Sequence, residues 1–180
     1  MTWTLYLLAR APEWQHRVRE EVHAVTGGGP VEAAHVERLA ITERVIKEAM
    51  RLYPPAPMMS RAAQEDVTIA GHRLPAGTLV FMPIYAIHRN TRLWDDPARF
   101  DPHRFPPERE PARPRAQYLP LGGGPRICLG ASFALVEAKV LLASLVAAAS
   151  FAWDGRHVPE PVSRVTLRPA GGMPLIVEMR

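Results

Sequence analysis

The sequence predicts a mainly α-helical fold with small β-sheets (α+β), and two observations indicate this class. Three segments combine helical spacing, or one long apolar run, with residues that end helices: 13–25, 43–53 and 129–153. Between and after them lie short stretches rich in Val, Ile, Thr and Leu and bounded by Gly and Pro, which is typical of short strands. A chain of 180 residues suits one domain with a buried core.

The N-terminal segment reads as a helix that is already in progress. Residues 3–10 have a helical pattern with no N-cap residue in front, and Pro12 is expected to close that helix. The segment is short and lacks a basic region before its apolar stretch, so it does not resemble a signal peptide. We therefore expect residues 1–180 to be a single partial domain, cut from a longer fold.

The next two helices have clear end signals. The amphipathic helix over 13–25 is ended by the sequence TGGGP. Thr42 is expected to cap the helix over 43–53, and Pro54 with Pro55 to stop it.

The rest of the chain alternates short strands with irregular segments. Residues 67–83 predict strands separated by turns at Gly71–His72 and at Gly77. Residues 88–120 contain seven prolines, which predicts a long irregular and functional segment. A helix follows Cys128, and the tail predicts a terminal β-hairpin around Gly171–Gly172.

Composition excludes several classes of partner and site. The single cysteine rules out an internal disulfide and fits a reducing, cytoplasmic location. The net charge of +4 comes without a run of basic residues, so we expect no nucleic acid partner. Glu137 and Lys139 interrupt the longest apolar run, which favours a buried core helix and predicts no membrane segment.

The sole cysteine lies in the glycine-rich stretch LPLGGGPRICLG, residues 119–130. A lone cysteine is most often a small buried hydrophobe, but Cys128 precedes a helix, whose N-terminus favours a thiolate. Arg126 adds positive charge, Gly122–Gly124 let a flat ligand approach the backbone, and Gly130 clears further space.

Several kinds of site can be compared with this stretch. The spacing fits neither a phosphate loop nor a dinucleotide turn, and one cysteine with scattered histidines is a poor zinc site. A cysteine protease would need a positioned histidine base, which the sequence leaves open. A thiolate that binds one face of a metal cofactor fits best, and haem iron is the known case.

LGGGPRICLG resembles the haem-binding signature of the cytochrome P450 family, Phe-Gly-x-Gly-x-Arg-x-Cys-x-Gly, with Leu121 in place of the phenylalanine. Two further motifs are similar to the family's Glu-x-x-Arg helix and its Pro-Glu-Arg-Phe segment. The resemblance implies a buried network of Glu48, Arg51 and Arg104, with His103 replacing the family's glutamate. Judged from helical spacing alone, without the resemblance, Arg44 could pair with Glu48 equally well.

The resemblance also implies the cofactor and its contacts. It identifies the chain as the C-terminal, haem-proximal part of the fold, bacterial by its Ala- and Arg-rich composition, and Cys128 as the ligand to the iron of haem b. Arg61 and Arg126 would bind haem propionates, and His88 would be structural. The expected cofactor-binding residues are Arg61, Pro120, Leu121, Gly122, Gly124, Arg126, Cys128, Gly130 and Ala134. Expected substrate-wall residues, which could otherwise be simple core, are Ala56, Met58, Met59 and Val165.

The implied activity is that of a haem-thiolate monooxygenase. The complete enzyme would insert one oxygen atom of dioxygen into a small organic substrate, with a ferredoxin- or flavoprotein-type electron donor. The family's acidic-residue and threonine helix would precede Met1, so this chain alone is expected to be inactive. Two alternatives remain: a truncated remnant that binds haem weakly or not at all, and a helical interaction module with a buried cysteine.

Overall fold

The computed structural model describes the backbone of all 180 residues and every side chain except that of Arg109. The helices are α1 (Thr2–Ala9), α2 (Pro12–Thr26), α3 (Ala40–Leu52), α4 (Ile84–Ile87) and α5 (Ala131–Ala148). Short 3₁₀ turns span Ala33–Arg38, Pro102–Arg104, Pro107–Arg109 and Gly124–Arg126. The strands are β1 (Met59–Ala62), β2 (Val67–Ile69), β3 (His72–Leu74), β4 (Leu79–Met82), β5 (Ala149–Ala152), β6 (Pro161–Ser163), β7 (Leu167–Pro169) and β8 (Ile176–Met179). The predicted mixture of helices and small sheets is confirmed.

The main core lies where α1, α2, α3 and α5 meet. Its buried residues come from all four helices and the residue before α3: Leu8, Trp14, Val18, Val22, Leu39, Val45, Ile46, Leu142, Ala143 and Val146. In α2 the residues Trp14, Val18 and Val22 repeat every four positions, so one face of the helix is buried. The apolar periodicity read from the sequence thus corresponds to real packing.

The strands form four two-stranded antiparallel sheets rather than one large sheet. β1 pairs with β4, with Met59 opposite Met82. β2 and β3 form a hairpin that turns at Gly71, where φ is +82°. β6 pairs with β7, and β5 pairs with β8.

The predicted terminal hairpin is therefore wrong. β8 pairs with β5, with Ala149 opposite Met179, and β7 pairs with β6 instead. Gly171 and Gly172 both have positive φ and turn the chain away from β7. Gln15 of α2 holds β5 in place, because its side chain exchanges two 2.9 Å hydrogen bonds with the backbone of Phe151.

The boundary between α1 and α2 differs from the prediction, because Pro12 does not end α1. α1 ends at Ala9, and Pro12 is the first residue of α2, where its missing N–H costs no hydrogen bond. The predicted stop after α2 is confirmed, because Gly27 adopts the left-handed conformation with φ of 66°.

Thr42 is not the cap of α3, because the helix begins two residues earlier, at Ala40. The carboxylate of Glu21, from α2, accepts the N–H groups of Ile41 (2.6 Å) and Thr42 (2.8 Å) and the Thr42 hydroxyl (2.7 Å). A carboxylate from another helix therefore satisfies the free donors at this helix start.

α5 is long and apolar enough to cross a membrane by length and composition, a test that core helices also pass. It packs on α2 and α3 through Leu142, Ala143 and Val146. The charge that interrupts its apolar run has a partner, since Lys139 Nζ lies 2.8 Å from Glu43 Oε2 of α3. In this structure α5 is one of the helices around the core.

Candidate functional site

The glycine-rich loop lies between the irregular segment 88–120 and α5, and it folds back on itself. The Gly122 N–H donates to the Leu119 carbonyl (3.1 Å), and the Cys128 N–H donates to the Leu121 carbonyl (3.0 Å). Gly122 has φ of +88°, which an L side chain rarely adopts. These contacts place Cys128 three residues before α5, with its thiol group exposed.

The glycines have two different roles. A Cβ atom at Gly122 would lie 3.2 Å from Met59 Sδ, and one at Gly123 would lie 2.8 Å from Leu119 Cδ2. A Cβ atom at Gly124 or Gly130 would meet nothing within 4 Å. Gly122 is required by its positive φ and lies against Met59, whereas Gly130 has an ordinary φ of −86° and borders open space.

The surface around Cys128 is unusually apolar for an exposed one. Ile127 is 55% exposed, Leu129 102% and Phe133 72%. Exposed apolar patches of this kind commonly mark ligand or interaction sites. A flat apolar cofactor with its metal at the Cys128 sulfur would cover such a surface.

The donor set also fits iron that is already held by a porphyrin. Among the described side chains, no group of three or more His, Cys, Asp and Glu could hold a metal ion. A bare metal ion needs several protein ligands. Haem iron needs only an axial ligand, which the single thiol of Cys128 can supply.

The structure brings Arg61 next to the loop. In β1, Arg61 lines a cavity of about 280 Å³ together with Gly123 and Gly124. Its guanidinium is exposed and donates to the Ser60 carbonyl at 2.8 Å. Arg126 is exposed in the 3₁₀ turn of the loop, and neither arginine forms an ion pair with a described side chain. Both guanidinium groups are available for an anionic ligand.

The remaining expected cofactor residues lie on the inner side of the loop. Pro120 is buried, and with Leu121 and Gly122 it lines a second cavity of about 290 Å³ beside α3 and α5. Ala134 is half-buried in the first turn of α5, where its N–H donates to the Gly130 carbonyl at 2.8 Å. These residues shape the loop from within.

Glu48 and Arg51 of α3 form a buried ion pair that also makes hydrogen bonds to the backbone of the irregular segment. Arg51 Nε and Nη2 donate to the two carboxylate oxygens of Glu48 at 2.7 and 2.8 Å, and both side chains are 0% exposed. Arg51 also donates to the carbonyls of His88, Pro97 and Arg99 at 2.8–3.0 Å. This i, i+3 pair therefore fixes the backbone of the irregular segment.

The third expected member of this network is less tightly bound. Arg104 Nε lies 3.5 Å from Glu48 Oε1 but makes no hydrogen bond, and Arg104 Nη2 donates to the Asp96 carbonyl at 3.0 Å. The Asp101 N–H donates to Glu48 Oε1 at 2.9 Å. Burial raises the pKa of the Glu48 carboxyl, against the opposing attraction of Arg51. Arg44, the alternative partner of Glu48, forms no ion pair among the described residues.

His88 joins this ion pair to the loop. Its ring is 0% exposed, with Nδ1 3.1 Å from the Arg51 carbonyl and Nε2 2.8 Å from the Leu119 nitrogen. Burial lowers the pKa of the imidazole to about 4. Leu119 begins the glycine-rich stretch, so His88 connects the buried pair to the backbone at the start of the Cys128 loop.

A sequence model of the cytochrome P450 family matches residues 1–175 of this chain. The chain belongs to the cytochrome P450 family. Cytochrome P450 734A5 of Oryza sativa subsp. japonica is 42% identical over 98% of this chain and 34% of the relative. A cytokinin hydroxylase of Arabidopsis thaliana (38% identical, 99% of this chain, 35% of the relative) and an 11-oxo-beta-amyrin 30-oxidase of Medicago truncatula (38%, 98%, 34%) are also similar.

The chain spans about a third of the length of these curated P450 relatives. The family consists in general of haem-thiolate monooxygenases, which agrees with a lone exposed thiol beside an open, apolar face. The relatives come from plants and mammals, so they do not support the bacterial source that the composition suggested.

The four residues expected in the P450 substrate wall do not share one cavity. Met58 is 56% exposed and lines a cavity of about 380 Å³ with Leu167 of β7. Met59, the first residue of β1, faces the glycine loop instead and lines the cavity beside Arg61 and Gly123. Val165 is 91% exposed in the β6–β7 turn, and Ala56 is half-buried.

Sequence reasoning missed most of the groups that complete the site. The acceptors of Arg51 are backbone carbonyls, and the Leu119 N–H that binds His88 is a backbone donor, so no residue type identifies them. Arg113 was also missed, although its guanidinium lies 4.2 Å from the Phe105 ring centre and donates to the Arg104 carbonyl. The irregular segment gives no periodicity from which these contacts could be read.

Proposed function

We propose that this chain is the C-terminal, haem-proximal part of a cytochrome P450 domain and that the Cys128 thiolate would bind the iron of haem b. The observation that carries the proposal is the exposed Cys128 thiol in a glycine loop that matches the family signature. Open space at Gly124 and Gly130 and the apolar surface formed by Leu129 and Phe133 support it.

Each part of the site then has a physical role. Arg61 and Arg126 would bind the two propionates, since a guanidinium can offer a carboxylate two parallel donors. Glu48, Arg51 and Arg104 would hold the irregular segment against the loop. When bound, the haem supplies dioxygen activation, assisted by electron donation from the thiolate.

In the complete enzyme, we expect one oxygen atom of dioxygen to be inserted into a small organic substrate. Electrons would come from a ferredoxin- or flavoprotein-type donor in the cytoplasm. Ala56, Met58, Met59 and Val165 remain the proposed substrate-wall residues, and the cavity between Met58 and Leu167 supports Met58 best. Residues 1–180 correspond to about a third of the length of these relatives, and we propose that they are inactive by themselves.

The ligand assignment is tested by comparing the wild-type chain with Cys128→Ser. After haem loading, reduction and addition of carbon monoxide, the wild type should show the thiolate-type Soret band, and Cys128→Ser should not. Cys128 is exposed, so the substitution should change the free energy of unfolding by less than about 0.5 kcal/mol. A thiolate band that survives in Cys128→Ser would reject Cys128 as the ligand.

The second candidate function is a remnant that binds haem weakly or not at all. The observation that favours it is the apolar surface of the loop and α5, where Leu129, Phe133, Val136 and Leu141 are exposed. Such a surface predicts self-association. An equilibrium haem titration that gives weak uptake, equal in wild type and Cys128→Ser, would support the remnant.

A further inference from the structure

The hydrogen bonds of His88 determine which ring nitrogen carries its proton. The Leu119 N–H can only donate, so His88 Nε2, 2.8 Å away, must accept. The Arg51 carbonyl can only accept, so Nδ1, 3.1 Å away, must donate. Only the neutral imidazole protonated on Nδ1 satisfies both partners.

The ring is held firmly from several sides. It is 0% exposed, and its plane stacks on Tyr118, with ring centres 5.4 Å apart. The Tyr118 hydroxyl donates to the Lys47 carbonyl at 2.9 Å. The Arg51 guanidinium donates to the His88 carbonyl, so Arg51 and His88 hold each other through two hydrogen bonds.

From Leu119 the contacts continue to the cysteine. The Leu119 carbonyl accepts the Gly122 N–H at 3.1 Å, and the Leu121 carbonyl accepts the Cys128 N–H at 3.0 Å. Hydrogen bonds therefore run from the buried Arg51 carbonyl through the imidazole to Leu119 and on to Gly122, and the adjacent residue Leu121 holds the backbone of Cys128. His88 is the one side chain in this path.

We propose that His88 is a positioning residue for the thiolate: its Nδ1-protonated ring fixes the start of the glycine loop relative to α3, and thereby the place of Cys128. The consequence for the iron rests on the proposed function, whereas the effect on the loop does not. The Glu48–Arg51 pair thus acts on the Cys128 loop through a side chain outside the P450 signature.

Two amide substitutions separate the two hydrogen bonds of the ring. In His88→Gln the amide oxygen can take the place of Nε2 and keep the Leu119 N–H bonded. In His88→Asn the shorter amide can take the place of Nδ1 and keep the bond to the Arg51 carbonyl, but it cannot reach Leu119. Both variants remove the ring, and the shorter Asn leaves the larger cavity, so the two are compared at the Leu119 amide and not by overall stability.

The primary measurement is amide hydrogen exchange in the chain without haem. The Leu119 and Cys128 amides should exchange about tenfold faster in His88→Asn than in His88→Gln, since only the former loses the Leu119 bond. The Ala134 amide, bonded within the first turn of α5, serves as the internal control and should not differ. Equal exchange at Leu119 in the two variants would overturn the proposal.

A second measurement needs no variant. Nitrogen NMR of the wild-type His88 ring at pH 7 should show the proton on Nδ1, and a proton on Nε2 would reject the proposal.

In the haem-loaded, reduced, carbon monoxide-bound protein, His88→Gln should keep the thiolate-type Soret band and His88→Asn should lose a large part of it. Equal bands in both would reject the effect on the thiolate. If the wild type itself lacks that band, the proposed function fails, and the exchange data still decide the role of His88.

Discussion

The Glu48–Arg51 pair and the Cys128 loop are joined through His88, yet they differ in burial and in the source of their contacts. The pair is 0% exposed, and its hydrogen bonds are all made within this chain. The loop has an exposed thiol and a neighbour, Leu129, with its whole side chain in contact with solvent. The comparison indicates that the chain satisfies the Glu48–Arg51 pair with its own groups, whereas the proposed haem face around Cys128 is left exposed.

The largest expected effect comes from breaking the buried pair. Arg51→Met leaves the Glu48 carboxylate buried without its partner and should destabilise the chain by about 3–5 kcal/mol. Urea unfolding measures the change. The double variant Glu48→Met with Arg51→Met should cost less than the single one, because no charge is left unpaired. Arg61→Met, at an exposed site, should change stability by less than about 0.5 kcal/mol, and a similar loss in both single variants would contradict the contrast between the regions.

A smaller effect on the free energy of unfolding is expected when His88, which joins the two regions, is titrated. Burial lowers the pKa of His88 from 6.5 to about 4, and the charged groups Arg51 and Arg89 that face it also oppose protonation. The unfolded chain therefore binds the proton first as the pH falls, so stability present above pH 6.5 is lost towards pH 4. The loss should reach about 2 kcal/mol at pH 5.

The control for this pH effect is His88→Gln, which cannot titrate. The wild-type free energy of unfolding minus that of His88→Gln should fall between pH 7 and pH 4.5 in urea titrations. A difference that stays constant over this range would show that His88 does not carry the pH dependence.

The smallest effect distinguishes the two kinds of glycine within the loop. Gly122→Ala places a side chain at φ of +88°, 3.2 Å from Met59 Sδ, and should cost about 1–2 kcal/mol. Gly130→Ala, at φ of −86° with open space around it, should leave stability within about 0.5 kcal/mol. Thermal unfolding of the chain without haem compares them. In a haem titration Gly130→Ala should nevertheless weaken uptake, and unchanged uptake would mean that the space at Gly130 is not used.

The helices were largely predictable because their apolar faces repeat with the helical period. α2 and α5 occur where the sequence placed them, and Gly27 ends α2 as expected. The strand pairing was less predictable. β8 carries nothing in its sequence that selects β5 over β7, and β5 itself is held by Gln15 of α2, which is distant in the chain.

The candidate site likewise has a part that the sequence predicts and a part that only the structure shows. The sequence by itself determined the motif residues, because Cys128, Arg126 and the glycines stand at fixed spacing along one short segment. Only the tertiary structure decided that Glu21 caps α3, that Met58 and Met59 face different cavities, and that His88 binds Leu119. These contacts join backbone groups far apart in the chain, and every residue carries such groups. Their positions are therefore set by packing, and residue type alone does not encode them.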